Sequence, residues 1–176
     1  MLILVEGCDK TGKTTLISDL KKHFPGLTII KNEFKPTGNN PTSIFGTIGQ
    51  YLGMYQYHFQ TNDNRMIALD RSHITEIVYS QLRGYNSLEY FKWYDYENQH
   101  EKDFLVIYMS APTEVIAKRF KEENETYLSA EQINQVVQGY EQYLRDSNLP
   151  RLMLSSLDDR EKNLLKAIKA IAESIK

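Results

Sequence analysis

The sequence predicts an α/β fold in which a five-stranded parallel sheet is flanked by helices on both faces. Short apolar runs alternate with amphipathic segments along the whole chain, which is the first observation behind this prediction. The second is that residues 2–6 lead directly into a glycine-rich loop and then a helix. The third is that no repeat, low-complexity run or linker interrupts the alternation. Residues 1–176 are therefore expected to form a single domain.

The five strands are expected at residues 2–6, 27–30, 66–69, 104–109 and 151–155. Helices are expected at residues 13–24, 42–60, 74–82, 87–99, 113–122, 129–144 and 158–175. Thr42 or Ser43 is the expected N-cap of the second helix. Ser129 with Gln132 predicts a capping box, and Asp158 with Glu161 predicts the start of the last helix. The apolar face of that helix is predicted to consist of Leu164, Leu165, Ile168, Ile171 and Ile175.

The segment after the first strand has the spacing G-x-x-x-x-G-K-[ST] of a phosphate-binding loop. Gly7 allows a tight turn, and Gly12 lets the backbone approach a phosphate closely. Backbone N–H groups at the start of the helix would then bind anionic oxygens. Lys13 supplies a compact positive charge for the phosphates, and the Thr14 hydroxyl is a ligand for Mg²⁺. The alternative is a chance match in a glycine-rich turn, against which the strand before the loop and the helix after it both argue.

A carboxylate and a guanidinium follow the third strand. Asp70 ends the buried run MIAL, where it can hold a Mg²⁺-bound water or accept a proton. Arg71 can bind an anionic oxygen with two parallel hydrogen bonds. The alternative, which is compatible with the first, is that Asp70 caps the following helix while Arg71 is exposed.

The net charge and the cysteine content limit the partners and the compartment that the sequence predicts. The 176 residues carry a formal net charge of −2, so the chain has no overall basic surface for nucleic acid. Small anionic substrates fit this balance better. The single cysteine, Cys8, excludes an internal disulfide and suits a reducing compartment. The start MLILVEG lacks the features of a signal peptide or a membrane span, so a cytoplasmic protein with no membrane partner is expected.

The segments GCDKTGKTT and ALDRSHITEIVYS resemble the thymidylate kinase family of nucleoside monophosphate kinases and the neighbouring deoxynucleoside kinases. The resemblance extends from Met1 to about Leu144. It implies the P-loop kinase fold with a short lid at about residues 121–128, ATP as the phosphoryl donor and Mg²⁺ as the cofactor.

Site roles follow from the resemblance residue by residue. Catalysis is assigned to Lys10, Lys13, Asp70 and Arg71, with Lys10 where some members carry an arginine. Mg²⁺ is assigned to Thr14 and, through water, to Asp70. The carboxylate of Asp9 would accept a hydrogen bond from the 3′-hydroxyl of the acceptor sugar. The set expected to bind ATP is Gly7, Cys8, Asp9, Lys10, Thr11, Gly12, Lys13, Thr14, Thr15 and Arg119.

The acceptor side departs from the family pattern. Glu33-Phe34-Lys35-Pro36 replaces the usual Arg-Glu-Pro-Gly-Gly, and Lys35 is either a phosphate ligand or a solvated loop lysine. Ser72 follows Arg71, as in deoxynucleoside kinases. The aromatic helix at 42–60 is the expected wall of the acceptor site. The set expected to bind the acceptor is Asp9, Glu33, Lys35, Tyr55, Phe59, Arg65 and Arg71.

The function that these features predict is transfer of the γ-phosphoryl of ATP to a deoxynucleoside monophosphate, a pyrimidine or a modified pyrimidine. One alternative is a deoxynucleoside kinase that phosphorylates a 5′-hydroxyl, with Glu33 as the base. A non-enzymatic alternative is an NTP-binding switch module. The aromatic run at 85–96 fits a homodimer interface, a substrate flap or simple burial.

Overall fold

The computed structural model describes residues 1–31, 41–61, 64–83, 90–124 and 127–175. The strands are β1 (Leu2–Glu6), β2 (Thr28–Lys31), β3 (Ile67–Asp70), β4 (Phe104–Ser110) and β5 (Arg151–Ser155). The helices are α1 (Lys13–His23), α2 (Pro41–Gln60), α3 (His73–Leu82), α4 (Tyr90–Gln99), α5 (Thr113–Glu122), α6 (Ala130–Asp146) and α7 (Arg160–Ser174). A short 3₁₀ turn, Glu101–Asp103, precedes β4.

The five strands form one parallel sheet in the order β2-β3-β1-β4-β5, which confirms the predicted architecture. β1 lies in the centre, and all five of its residues are buried. Val5 of β1 is in register with Asp70 of β3, so the two strands end side by side. The glycine-rich loop and Asp70 therefore lie side by side at the carboxyl ends of these two strands.

Helices cover both faces of the sheet. Leu2 and Leu4 point into the larger core with α2 to α6, whereas Ile3 and Val5 point into a second core with α1 and α7. This alternation is expected for a strand buried on both sides. Because α1 and α3 lie on opposite faces, a crevice opens between the carboxyl ends of β1 and β3. In parallel α/β sheets, ligands bind in such crevices.

Within the described residues, helix boundaries lie within two residues of the predicted ones, and three details of capping and packing differ. The capping box of Ser129 and Gln132 is present at the start of α6. Helix α2 begins at Pro41 itself, which is a favoured first helical residue, so the prediction of Thr42 or Ser43 as N-cap was wrong. Helix α3 is capped by Ser72 rather than by Asp70.

The third difference concerns α7. Asp159, one residue later than predicted, caps this helix by accepting a hydrogen bond from the Lys162 amide. Leu165 and Ile175 are 60% and 59% exposed, so they are not part of its packed face. Ala167 and Ile171 occupy the centre of that face and are fully buried. The helical spacing identified the correct side of α7 but made the apolar face too wide.

A buried polar network joins helices α2, α3, α4 and α6 on the side of the larger core. His73 of α3 contacts the Tyr55 hydroxyl through Nδ1 at 2.9 Å and Glu97 Oε1 through Nε2 at 2.8 Å. Glu97 of α4 also accepts hydrogen bonds from Tyr143 at 2.7 Å and from Ser147 at 2.7 Å. All five side chains are buried, and every contact satisfies a group that would otherwise be costly to bury. The network therefore fixes α3, and with it the residues that precede α3, against the larger core.

Among the described residues, none of the helices combines the length and the apolar character that crossing a bilayer requires.

Candidate active site

The loop between β1 and α1 has the backbone of a phosphate cradle. Gly7 has φ +136° and Gly12 has φ +93°, conformations that side-chain-bearing residues rarely adopt. Gly7 lies so close to β4 that an added Cβ would be 2.3 Å from the Met109 carbonyl oxygen. The Thr11 hydroxyl closes the loop by donating to the Cys8 carbonyl at 2.8 Å. Thr14 and Thr15 are exposed on the first turn of α1.

Lys13 lies inside this loop. Its ammonium donates to the carbonyl oxygens of Gly7 at 2.8 Å and Cys8 at 2.7 Å. The side chain is buried, and this burial lowers the pKa of Lys13, although the nearby Asp70 carboxylate opposes the shift. Burial also raises the pKa of the Cys8 thiol, which disfavours a reactive thiolate. Cys8 is thus a small residue that fits the loop.

Thr14 and Asp70 face each other across the crevice. The Thr14 hydroxyl lies 3.4 Å from Asp70 Oδ2, a long contact between two oxygen ligands. Asp70 is buried at the end of β3. A hydroxyl and a carboxylate are the hard donors that Mg²⁺ prefers, often through bound water. The donor set therefore fits the predicted metal.

Asp9 and Arg71 form an ion pair at the mouth of the crevice, through Asp9 Oδ1 and Arg71 Nη2. The Arg71 guanidinium also lies 5.6 Å from the centre of the Tyr79 ring. The Tyr79 hydroxyl donates to Asp9 Oδ2 at 3.3 Å. Arg71 is thus held beside the phosphate loop, with an aromatic ring on one side and a carboxylate on another.

Side chains from the end of α5 and the residues after it contact the phosphate loop. Arg119 Nη1 donates to the Lys10 carbonyl at 2.7 Å and to the Ser156 hydroxyl at 3.0 Å. Lys10 Nζ pairs with Glu123 at 2.6 Å. The Tyr127 hydroxyl donates to Asp9 Oδ2 at 2.5 Å. Two residues of the predicted lid, Glu123 and Tyr127, therefore lie against the loop that they were expected to cover.

Two relatives found by sequence comparison carry the name thymidylate kinase. No protein-family model matches the chain. The thymidylate kinase of Dictyostelium discoideum is 26% identical over 168 residues, covering 83% of this chain and 74% of that protein. The probable thymidylate kinase 1 of Saccharolobus solfataricus is 26% identical over 192 residues, covering 99% and 98%.

Solved structures extend the comparison. The YorR protein of Bacillus subtilis, in complex with phosphorylated GDP, superposes with a TM-score of 0.73 at 20% identity, covering 98% of this chain and 96% of that one. Deoxyadenosine kinase from M. mycoides, with dCMP and dCDP bound, superposes with a TM-score of 0.68 at 15% identity, covering 98% and 100%. This is the P-loop kinase fold. Together with the thymidylate kinase-like sequence, it supports nucleotide kinase activity.

The structure does not bring all the predicted site residues of this P-loop kinase fold together. The contacts above join the loop residues 7–14 with Asp70, Arg71 and Arg119, and Thr15 follows on the first turn of α1. Glu33 and Lys35 lie outside the described residues. Tyr55 is fully buried and packs edge-on against Phe104 and Trp93, so no face of its ring is open to a base. The expectation that Tyr55 binds the acceptor was therefore wrong.

The expectation that Phe59 and Arg65 bind the acceptor was also wrong. Phe59 stacks on His100 with ring centres 4.4 Å apart, beside Met1 and Met66 at the amino edge of the sheet. Arg65 precedes β3 and so lies at the same amino edge. The carboxyl edge, where the phosphate loop lies, is at the other end of the strands. Neither residue is placed to contact an acceptor beside Arg71.

Three polar residues of the site were missed by sequence reasoning. Tyr79 contacts both Asp9 and Arg71, as described above. Glu76 of α3 is buried, and burial raises the pKa of its carboxyl group while the positive charges of Arg83 and Arg71 oppose the shift. Glu6, the last residue of β1, is fully buried with three hydrogen bonds. A glutamate before a glycine-rich loop is the one signal that could have drawn attention to Glu6.

Proposed function

We propose that the chain is a nucleoside monophosphate kinase that moves the γ-phosphoryl group of ATP to a deoxynucleoside monophosphate, a pyrimidine in the first instance. The observation that carries this proposal is the position of the Asp9–Arg71 pair beside the Thr14–Asp70 pair. One pair supplies groups for an acceptor nucleotide, and the other supplies ligands for the metal of the donor. The names of the two thymidylate kinase relatives support the choice of acceptor.

The donor half of the site is the phosphate loop. Its backbone amides would bind the ATP phosphates, and Lys13 would exchange its two carbonyl partners for phosphate oxygens. Arg119, held between the loop and Ser156, would bind the donor phosphates or the adenine. Mg²⁺ held by Thr14 and, through water, by Asp70 would neutralise charge on the phosphates.

The acceptor half consists of Arg71 and Asp9. The Arg71 guanidinium would bind the acceptor phosphate with two parallel hydrogen bonds. Asp9 would accept a hydrogen bond from the sugar 3′-hydroxyl, alongside the one that its Oδ2 accepts from the Tyr127 hydroxyl. Lys10, whose ammonium lies against Glu123, would supply positive charge near the transferring group.

Phosphoryl transfer requires little covalent chemistry from the protein. Catalysis consists of holding the two phosphates in line and neutralising the charge that spreads over the transferring oxygens. An open site would transfer the phosphoryl group to water. The contacts of Glu123 and Tyr127 with the phosphate loop would keep the lid over the site during transfer.

A second candidate is a deoxynucleoside kinase. The similarity to deoxyadenosine kinase in fold, and Ser72 directly after Arg71, favour it. This reaction needs a base for the 5′-hydroxyl, and Glu33 is the residue proposed for that role. The two candidates differ in whether the acceptor already carries a phosphate.

A coupled assay of ADP release over nucleosides and their 5′-monophosphates distinguishes the candidates. We expect turnover with a deoxynucleoside monophosphate, dTMP first, and none in the Lys13→Ala variant. Faster turnover with deoxynucleosides than with their monophosphates would reject the first proposal in favour of the second. ATP binding without turnover on any acceptor would favour a binding module.

A further inference from the structure

Glu6 connects the phosphate-loop strand to the turn that carries Arg71. It is the last residue of β1, and none of its surface is exposed. Glu6 Oε1 accepts hydrogen bonds from the Ser72 amide at 2.7 Å and from the Ser72 hydroxyl at 2.5 Å. Glu6 Oε2 accepts one from the Thr75 hydroxyl at 2.6 Å. All three donors therefore lie on or just before the first turn of α3.

The turn that Glu6 holds has an unusual backbone. Arg71 has φ +75°, in the left-handed region that a residue with a side chain seldom adopts. Such a conformation is energetically unfavourable and persists only where neighbouring contacts determine it. The Arg71 amide donates to the Val5 carbonyl at 3.2 Å, and the Arg71 carbonyl accepts from the Tyr51 hydroxyl at 3.3 Å. The next amide along the chain is the one that Glu6 binds.

We infer that Glu6 is a positioning residue, which holds the Arg71 backbone in its left-handed conformation through Ser72 and so places the guanidinium beside Asp9. The inference rests on the proposed function, in which Arg71 binds the acceptor phosphate. Because none of its surface is exposed, Glu6 would not touch the substrate. Its carboxylate replaces the water that would otherwise solvate the Ser72 amide, at a point where the chain turns from β3 into α3.

Two substitutions of Glu6 separate the effect of side-chain length from the effect of negative charge. Glu6→Gln keeps the length of the side chain and an oxygen for Ser72, and its amide can donate to the Thr75 hydroxyl. That hydroxyl can then donate to Tyr140, whose hydroxyl is 2.8 Å away and serves either as donor or as acceptor. Glu6→Asp keeps the charge but is one methylene too short to reach Ser72. Positioning therefore predicts that Gln is tolerated and Asp is not.

The kinetic test measures kcat and KM for the acceptor in these variants. We expect Glu6→Asp to lower kcat about 100-fold, the loss typical of a displacement near 1 Å, and Glu6→Gln to lower it less than about threefold. Thr75→Val is the matched control, because it removes the other partner of Glu6 and leaves both Ser72 contacts. Its kcat should stay within about threefold of that of the wild type.

The same substitutions in an Arg71→Met background test whether Glu6 acts through Arg71. If it does, Glu6→Asp should change the residual kcat by less than about threefold in that background. An equal loss in both backgrounds would overturn the inference, as would a loss in Glu6→Gln as large as that in Glu6→Asp.

A readout that needs no activity keeps this inference separate from the proposed function. Hydrogen exchange of the Ser72 amide should be slow in the wild type and in Glu6→Gln, and at least tenfold faster in Glu6→Asp. Equal exchange rates in all three proteins would contradict the inference even if the enzyme is active. Absence of transfer to every acceptor, with the expected exchange pattern, would instead reject the proposed function alone.

Discussion

Substitution of Gly7 by alanine tests the geometry of the phosphate loop most severely. An added Cβ would lie 2.3 Å from the carbonyl oxygen of Met109 and 3.3 Å from its carbonyl carbon. Met109 is inside β4 and paired with Leu154 of β5, so its backbone is not free to move away. The loop must therefore shift by about 1 Å to restore an ordinary contact distance.

Two costs contribute to the expected loss of stability. The φ of +136° at Gly7 costs an alanine on the order of 1–3 kcal/mol. The contact with Met109 adds a comparable amount through displacement of the loop, typically about 1–3 kcal/mol for an overpacked site. We expect a loss of about 3 kcal/mol or more, which corresponds to a fall in Tm of roughly 6–12 °C for a domain of this size.

Gly12 and Gly53 provide graded controls in thermal and urea unfolding. Gly12→Ala meets only the end of the Met109 side chain at 3.8 Å, so only its φ of +93° costs stability, about 1–2 kcal/mol. Gly53 lies in α2 with nothing within 4 Å, and alanine there should stabilise the protein by about 0.5–1 kcal/mol. Equal effects of all three substitutions, or a neutral Gly7→Ala, would refute the loop geometry described here.

Three further predictions concern the lid, the buried network and the response to pH. Tyr127→Phe removes the hydroxyl that contacts Asp9, so ATP hydrolysis relative to transfer should rise roughly 2–10-fold; an unchanged ratio would show that this contact does not hold the lid. Glu97→Ala leaves three buried donors without their acceptor and should lower the free energy of unfolding in urea by about 3 kcal/mol. The control Glu101→Ala removes an exposed carboxylate and should change that free energy by less than about 0.5 kcal/mol. Similar losses in the two variants would contradict the network. Asp19 accepts hydrogen bonds from Arg160, which lower the pKa of Asp19 to about 2, below the value of about 3.9 for an unfolded chain. The stability that this carboxylate contributes is therefore present above pH 4 and lost as pH falls towards 2, so the Tm difference between wild type and Asp19→Asn should close over that range; a difference independent of pH would count against the pairing.

The part of the fold set by local pattern could be predicted from the sequence. The strand, glycine loop and helix from Leu2 to His23 form a continuous unit whose signals lie within a few residues of one another. The capping box of Ser129 is likewise a local signal. Burial of β1 on both faces was readable from its uninterrupted apolar run.

The acceptor side could not be predicted in the same way. Helical spacing shows that α2 has an apolar face, but not which residues on it meet the core. A helix of 20 residues is about 30 Å long, which exceeds the length of the strands, so only part of it lies beside either end of them. Tyr51 contacts the Arg71 carbonyl, whereas Phe59, about two turns later, packs beside Met1 at the far edge.

The partners of long-range polar contacts could not be predicted from local sequence patterns either. Glu6 and Ser72 are 66 positions apart, and Glu97 contacts partners from α3 and α6. Neither carboxylate has a spacing motif, because their partners come together only when the sheet and its helices assemble. The polar contacts of Tyr79 with the phosphate loop have the same origin.

The proposed function requires transfer of a phosphoryl group from ATP to the phosphate of a deoxynucleotide. Incubation with γ-labelled ATP, Mg²⁺ and dTMP, followed by chromatographic separation of the products, tests this directly. We predict labelled deoxynucleoside diphosphate with the wild type and none with Lys13→Ala. Label that appears only as free phosphate, or in a monophosphate formed from a supplied nucleoside, would contradict the account.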